Sequence, residues 1–366
     1  MRGRLRRNAV ACRVPRTRQA SLVFLIVFGF AGCALAQQQT TETLKLQIIG
    51  GLAGVTQFTK LEQPFWQSEI EPLSEGRINA TIRPLDAGGL RTQEMLQLMR
   101  LGVVSFGTVL LSATAGDEPE LSAIDLPAMN PDIATLRRTV SAYRPHLKAV
   151  LHQRYDIHLL GIYTYPAQVL FCVKPFTGLG DLSGRRIRTS SVAQSELVTA
   201  LGAVAVSIPF ADVLASLRDD VVDCAITGTL SGHEIGLPGV TSYVHAMALS
   251  WGVSIFGVNR PYWESLPVDV RDSIHRGVNK LETRIWSQAE ADTQRGLACN
   301  SGTAACSGEP QTPMTVVPTS PEDEVRRRDL LLQVVLPRWF KRCGKDCERA
   351  WNIYLKPLFG AEPRTP

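Results

Sequence analysis

Apolar residues fall at every second position in Leu44, Leu46 and Ile48, the period of a strand with one buried face, and Gly50-Gly51 and Gly54 end that strand in a loop. The period then lengthens to that of a helix through Phe58, Leu61, Phe65 and Ile70, with Pro64 disturbing its start. Further on, the pattern predicts a strand over 80–83 and a helix over 92–101. Short strands follow over 103–111 and 121–126, then a helix over 131–153 interrupted near Pro145. Strands over 157–162 and 168–173 come next, and the segment between them, 163–167, is placed as the crossing into a second lobe.

The stretch 181–231 carries two strand–helix–strand units end to end. Ile187 lies in a strand that breaks at Thr189-Ser190-Ser191, with Arg188 where the strand stops. Leu197 and Leu201 mark a short helix closed by Gly202, and a strand over 204–208 follows. Val213, Leu214 and Leu217 mark a second helix, and 221–226 is the third strand. Strands alternating with short helices predict an α/β fold with mainly parallel sheets, whose ligands collect beyond the carboxyl ends of the strands. A guanidinium at that place is positioned to meet an anion. A strand over 253–258 returns to the first lobe, and a helical pattern over 267–297 spans about 45 Å, longer than one lobe needs. Ser320-Pro321 starts another helix, with a capping hydroxyl, proline at the first helical position and acids in the first turn. That helix is expected to stop before Pro337, and a last one over 347–358 closes the chain.

Charge and composition change the picture mainly at the ends. Residues 2–18 hold seven arginines and no acid, an apolar run over 20–31 follows, and Ala34-Leu35-Ala36 offers the small residues of a cleavage site. This predicts a secretory leader over 1–36, too short in its apolar part for a membrane span. A lipoprotein leader acylated at Cys33 is the rival reading. Without the leader the balance is 32 basic against 34 acidic side chains, so the basic character belongs to the leader and nucleic acid is not an expected partner. Six cysteines remain. Cys299 with Cys306 and Cys343 with Cys347 have spacings that suit short-range disulfides, the alternative being a four-cysteine zinc site. Cys172 and Cys224 read as buried packing residues in strands, with mutual pairing left open.

The segments DLSGRRIRTSS and ALGAVAVSIPFADVLASLRDDVVDCAI resemble the signature of solute-binding proteins of tripartite ATP-independent periplasmic (TRAP) transporters. LDAGGL with TQEMLQLMRLGVVSFG upstream, and VNRPYWESLPVDVRDSI downstream, extend the resemblance over most of 44–294. It implies a two-lobed periplasmic binding protein fold, each lobe a mainly parallel sheet flanked by helices, with the long helix spanning both. The first lobe would comprise 42–164 plus 253–285, and the second 165–252 plus 286–366. Such a protein captures a small organic acid between its lobes and delivers it to a membrane permease, as a monomer and without cofactor or metal; a subunit feeding a sensor is the alternative. The family's arginine clamp on the ligand carboxylate carries onto Arg188, and paired guanidinium donors suit that task.

Departures from the family pattern sharpen the expectation. Gln168 stands where a second arginine is often found, which argues for a monocarboxylate. Thr227 replaces a family asparagine; the hydroxyls of Thr227, Thr229 and Ser231 are read either as ligand contacts or as strand-end caps. Trp251 falls where the family often has an aromatic beside the ligand, and equally reads as core. Gly51 and Gly54 would let the first-lobe loop close over the ligand, and Phe210 reads as packing. An enzyme is not expected. The serine of GTLSG sits one position late for a nucleophile elbow, and His233-Glu234 lacks the second histidine of a zinc peptidase.

Overall fold

The computed structural model describes residues 43–86, 90–303, 306 and 312–359; the leader, Cys33 and Ala87-Gly88-Gly89 lie outside them. Two sheets organise the chain. The first has the order β2-β1-β3-β10-β4, built from β1 (Leu44–Ile49), β2 (Ile78–Arg83), β3 (Phe106–Leu110), β4 (Ile157–Tyr163) and β10 (Ser254–Asn259). The second has the order β11-β9-β5-β8-β6-β7. Its strands are β5 (Gln168–Cys172), β6 (Arg186–Thr189), β7 (Val204–Ser207), β8 (Cys224–Gly228), β9 (Tyr243–His245) and β11 (Thr315–Val317).

In each sheet one strand opposes the rest: β10 pairs antiparallel with β3 and β4, and β5 pairs antiparallel with β8 and β9. Both are the strands entered directly from a strand of the other sheet; β11, reached through the long helix, runs with the majority. A strand that begins at the crossing must run away from it, whereas the other strands run toward it. The carboxyl ends of the majority strands of both sheets therefore face the same region, where ligands of open α/β sheets bind.

Alternation along β1 sends Leu46 and Ile48 to one face of the first sheet. There they pack with Phe65, Trp66, Phe106 and Phe256, and with Val270, Ile274, Val278 and Leu281 of the long helix Val268–Asn300. That helix continues past the first sheet. Trp286 Nε1 donates to Ile162 O at 2.8 Å, and near its end Asn300 Nδ2 donates to Thr229 O at 3.0 Å in the second lobe. A Cβ on Gly296 would lie 2.2 Å from Leu230 N, so only glycine permits this close approach of helix Thr229–Glu234.

Several expected elements differ. Leu121–Asp125 is a short 3₁₀ turn rather than a strand. Leu121, Ala123 and Ile124 are all fully buried, so an apolar run there carries no strand period. The helix Ile133–Tyr155 continues through Pro145, which lies on its exposed side, where water can satisfy the carbonyl the proline leaves free. Helix Pro321–Leu330 starts with the expected cap, reciprocated by Asp323, but it does not end before Pro337. Leu331–Val335 widens to i→i+5 bonding and Leu336–Cys343 follows directly, so the missing proline N–H falls at a place where the ladder has already been reset.

Cys172 and Cys224 face each other across β5 and β8 and are joined in a disulfide, so they are a cross-link rather than simple packing. Disulfides also join Cys299 to Cys306 and Cys343 to Cys347. The C-terminal helices do not serve the second lobe alone. Trp339 Nε1 donates to Pro119 O at 2.7 Å, and Tyr354 meets Tyr143 edge-on and His146 at a tilt, all on the first-lobe side. Arg338 donates to Glu196 O at 3.2 Å, and Arg342 pairs with the Glu196 carboxylate, on helix Val192–Ala200 beside the second sheet.

Candidate ligand-binding site

Beyond the carboxyl ends of both sheets lies a cavity of about 220 Å³. Its first-lobe wall comes from the loops after β1, β2 and β3, with Leu52, Asp86 and Ser112. Its second-lobe wall comes from the ends of β6, β7 and β8 and the start of β5, with Arg188, Ser207, Thr227 and Gln168. Tyr165, in the crossing segment, joins the two walls, and its hydroxyl accepts from Leu52 N at 3.0 Å.

Arg188 dominates this site. It is the third residue of β6, a strand held between β7 and β8, and only 3 % of its surface is exposed. Its Nε donates to Ile208 O at 2.8 Å, just past the end of β7, and its Nη1 to Ile226 O at 2.7 Å, within β8. Two rigid acceptors thus fix the plane of the guanidinium. No carboxylate among the described residues pairs with it, and Nη2 has no partner among them. Burial without a compensating charge pulls its pKa down to about 10. Arg186, two residues earlier on the same strand, is the counterexample. It binds Asp223 through Nε at 3.1 Å and Nη2 at 2.8 Å, and Asp220 besides. A buried cation without an anion is costly, and a bound anion removes that cost.

Gln168 and Thr227 line the cavity with Arg188. Gly252, at φ 68°, leaves room for the amide: a Cβ there would sit 3.1 Å from Gln168 Nε2. Thr227 is 1 % exposed, and its hydroxyl has no hydrogen-bond partner among the described residues. Phe210, read from sequence as packing, is part of the cavity wall.

Four other expected residues are placed elsewhere. β8 ends at Gly228, so Thr229 leaves the strand's alternation and donates its hydroxyl to Asp292 O on the long helix at 3.2 Å. Trp251 is 2 % exposed in the core, its Nε1 bound to Asn130 O at 2.9 Å. Gly51 lies behind the cavity, where a Cβ would meet the Tyr165 hydroxyl at 2.6 Å and Glu62 at 2.7 Å. Gly54 is a turn residue at φ 73° with nothing within 4 Å of a Cβ. The wall residues Asp86, Ser112 and Tyr165 were not assigned from the apolar period, because they sit in a loop, in the single helical turn Leu111–Thr114 and in the crossing, where no period runs.

Two buried carboxyls support the walls. Glu62 accepts from Gly51 N and from Gln57 Nε2, both at 2.7 Å, and burial pushes its pKa up to about 7 against those bonds. Asp125 accepts the N–H groups of Trp251, Gly252 and Val253, and burial pushes its pKa up to about 6. The two lobes also meet outside the cavity. Thr56, in the loop after β1, gives both its N–H (3.1 Å) and its hydroxyl to the Glu234 carboxylate at the end of helix Thr229–Glu234.

A pair of α/β lobes with facing strand ends and a cavity between them is the architecture of a binding protein for small solutes. The chain belongs to the bacterial extracellular solute-binding proteins of family 7, the TRAP-type binding proteins; the family model matches residues 53–301. A solute-binding protein of Albidiferax ferrireducens is 24% identical over 266 residues, 69% of this chain and 76% of that protein. Among solved structures, an extracytoplasmic solute receptor of Bordetella pertussis binding pyroglutamic acid has a TM-score of 0.75 at 21% identity, covering 85% of this chain and 99% of its own. A TRAP periplasmic solute-binding protein of Desulfovibrio salexigens with bound orotic acid has a TM-score of 0.75 at 16% identity, covering 86% and 99%. One of Rhodoferax ferrireducens with bound malonate has 0.72 at 20%, covering 86% and 100%. These likenesses concern the fold. Among the described residues no helix is long and apolar enough to cross a membrane.

Proposed function

We propose that the protein captures a small organic monocarboxylate between its lobes in the periplasm and hands it to a TRAP-type membrane permease. The observation that carries this reading is Arg188, a guanidinium 3 % exposed, braced by two carbonyls and without an acid among the described residues. It is preorganised to give two donors to a carboxylate in a closed, water-poor site. The cavity of about 220 Å³ is smaller than the ~300–1,000 Å³ of sites for drug-sized ligands, which fits a small acid. Gln168 offers an amide where a second cation would favour a dicarboxylate. Neighbours of the same fold carry pyroglutamic acid and orotic acid, each with one carboxylate, and malonate, with two; they support a small organic acid as the class, while the preference for one carboxylate rests on Gln168.

Native mass spectrometry of the protein purified without refolding tests capture directly, with calorimetry of the identified acid on wild type and Arg188→Ala. A retained monocarboxylate that the variant no longer holds supports the reading. Equal affinity in the two proteins overturns it. Delivery is tested separately, by reconstituting uptake with the permease subunits.

A further inference from the structure

Arg188 is not the only charged group on the cavity wall. Asp86, in the loop after β2, faces the same space from the first lobe. Its Oδ1 is committed, accepting from Ala53 N at 2.8 Å, while Oδ2 has no partner among the described residues. The two charges do not neutralise each other: no ion pair joins them among the described residues, and burial alone accounts for the shift at Arg188. Once the lobes close on a ligand, Asp86 keeps half its acceptor capacity open in a site that excludes water. An unsatisfied carboxylate oxygen there is costly, and a second ligand carboxylate beside it would be repelled.

We propose that Asp86 selects the ligand: the protein takes monocarboxylates that carry a nitrogen donor, an ammonium or a lactam N–H, with the carboxylate on Arg188 and the N–H on Asp86. The inference rests on the capture reading above and names the substrate class of that same cavity. One guanidinium and one carboxylate on opposing walls suit a zwitterion or a neutral N–H acid better than a dicarboxylate. A site built to accept a hydrogen bond discriminates strongly against an analogue that lacks the donor, because its own acceptor is then left unpaired.

The test uses two isosteric pairs by calorimetry: proline against cyclopentanecarboxylate, and pyroglutamate against 3-oxocyclopentanecarboxylate. In wild type, at least one nitrogen acid should bind about 100-fold or more tighter than its carbon isostere. Asp86→Asn keeps the acceptor for Ala53 N–H but turns Nδ2, a donor, toward the ligand in place of Oδ2. It should lower affinity for the nitrogen acid at least about tenfold and leave the carbon isostere unchanged or tighter. If no nitrogen acid outbinds its isostere in wild type, or if Asp86→Asn weakens both members of a pair equally, the proposal is overturned. Arg188→Ala keeps the two ideas apart. Binding retained in that variant refutes the carboxylate clamp itself, whereas loss of all acids in it, with no discrimination in wild type, refutes only the role of Asp86.

Discussion

Replacing Arg188 by alanine removes the one buried cation among the described residues of the cavity wall, and the structure sets the size of the loss. A carboxylate on the guanidinium gains two charge-assisted hydrogen bonds of about 1.5–3 kcal/mol each, together about 3–6 kcal/mol. The lowering of the Arg188 pKa by burial, to about 10, gives a second measure. At about 1.4 kcal/mol per unit, burial disfavours the charged form by about 3 kcal/mol, which an incoming anion returns. Both routes put the loss of affinity at about 10²–10⁴-fold, since about 1.4 kcal/mol is tenfold. Arg188→Lys should fall between. The ammonium keeps the charge but cannot hold Ile208 O, Ile226 O and both ligand oxygens from one nitrogen. The assay is calorimetry on the acid retained by the wild-type protein, with thermal melts of the ligand-free variants to show that they fold. A folded Arg188→Ala that binds within about threefold of wild type would refute the argument, as would a lysine variant weaker than the alanine one.

Three other outcomes follow from the same coordinates. The folded pKa of Glu62, about 7, lies above its ordinary 4.5, so the native state holds the extra proton; this contribution is full below about pH 4.5 and lost as pH rises through about 7. Glu62→Gln should therefore flatten the fall in stability between pH 5 and 7.5 by an amount on the order of 3 kcal/mol, and chemical denaturation curves parallel to wild type over that range would contradict it. Replacing Cys172 and Cys224 together by alanine opens a cross-link over 52 residues, an expected cost of about 4 kcal/mol by loop entropy; urea unfolding that shows less than about 1 kcal/mol would count against it. Glu234→Ala removes both bonds from Thr56 that tie the lobes outside the cavity, so ligand dissociation measured by stopped flow should quicken about 5- to 100-fold, with an unchanged off-rate as the refuting result.

How much of this was legible in the sequence depends on whether a local period carried the information. Arg188 was legible because it lies at the cleft end of a readable strand, and the rule for α/β sheets says where that end points; Thr227 and Gln168, also at cleft ends of strands, were singled out only by the family resemblance. Thr229 fails by the same logic: it is two residues beyond Thr227, but the strand stops at Gly228, and a boundary shift of one residue redirects the side chain. Asp86 lies in the LDAGGL segment that carries part of the resemblance, but nothing there assigned it to the site, and Tyr165 had no signal, because loops and crossings have no period. The C-terminal helices were read from a cap and from proline positions, which do not say which surface they pack on, and here they touch both lobes. The deciding fact at the site lies further still from sequence. Arg186 and Arg188 are the same residue type, two positions apart on one face of one strand. Only the arrangement of neighbouring strands gives the first Asp223 and leaves the second with two carbonyls and an open donor. A sequence can place a cation at a strand end; whether that cation still lacks its anion is decided by packing, and the proposed binding role of Arg188 rests on that lack.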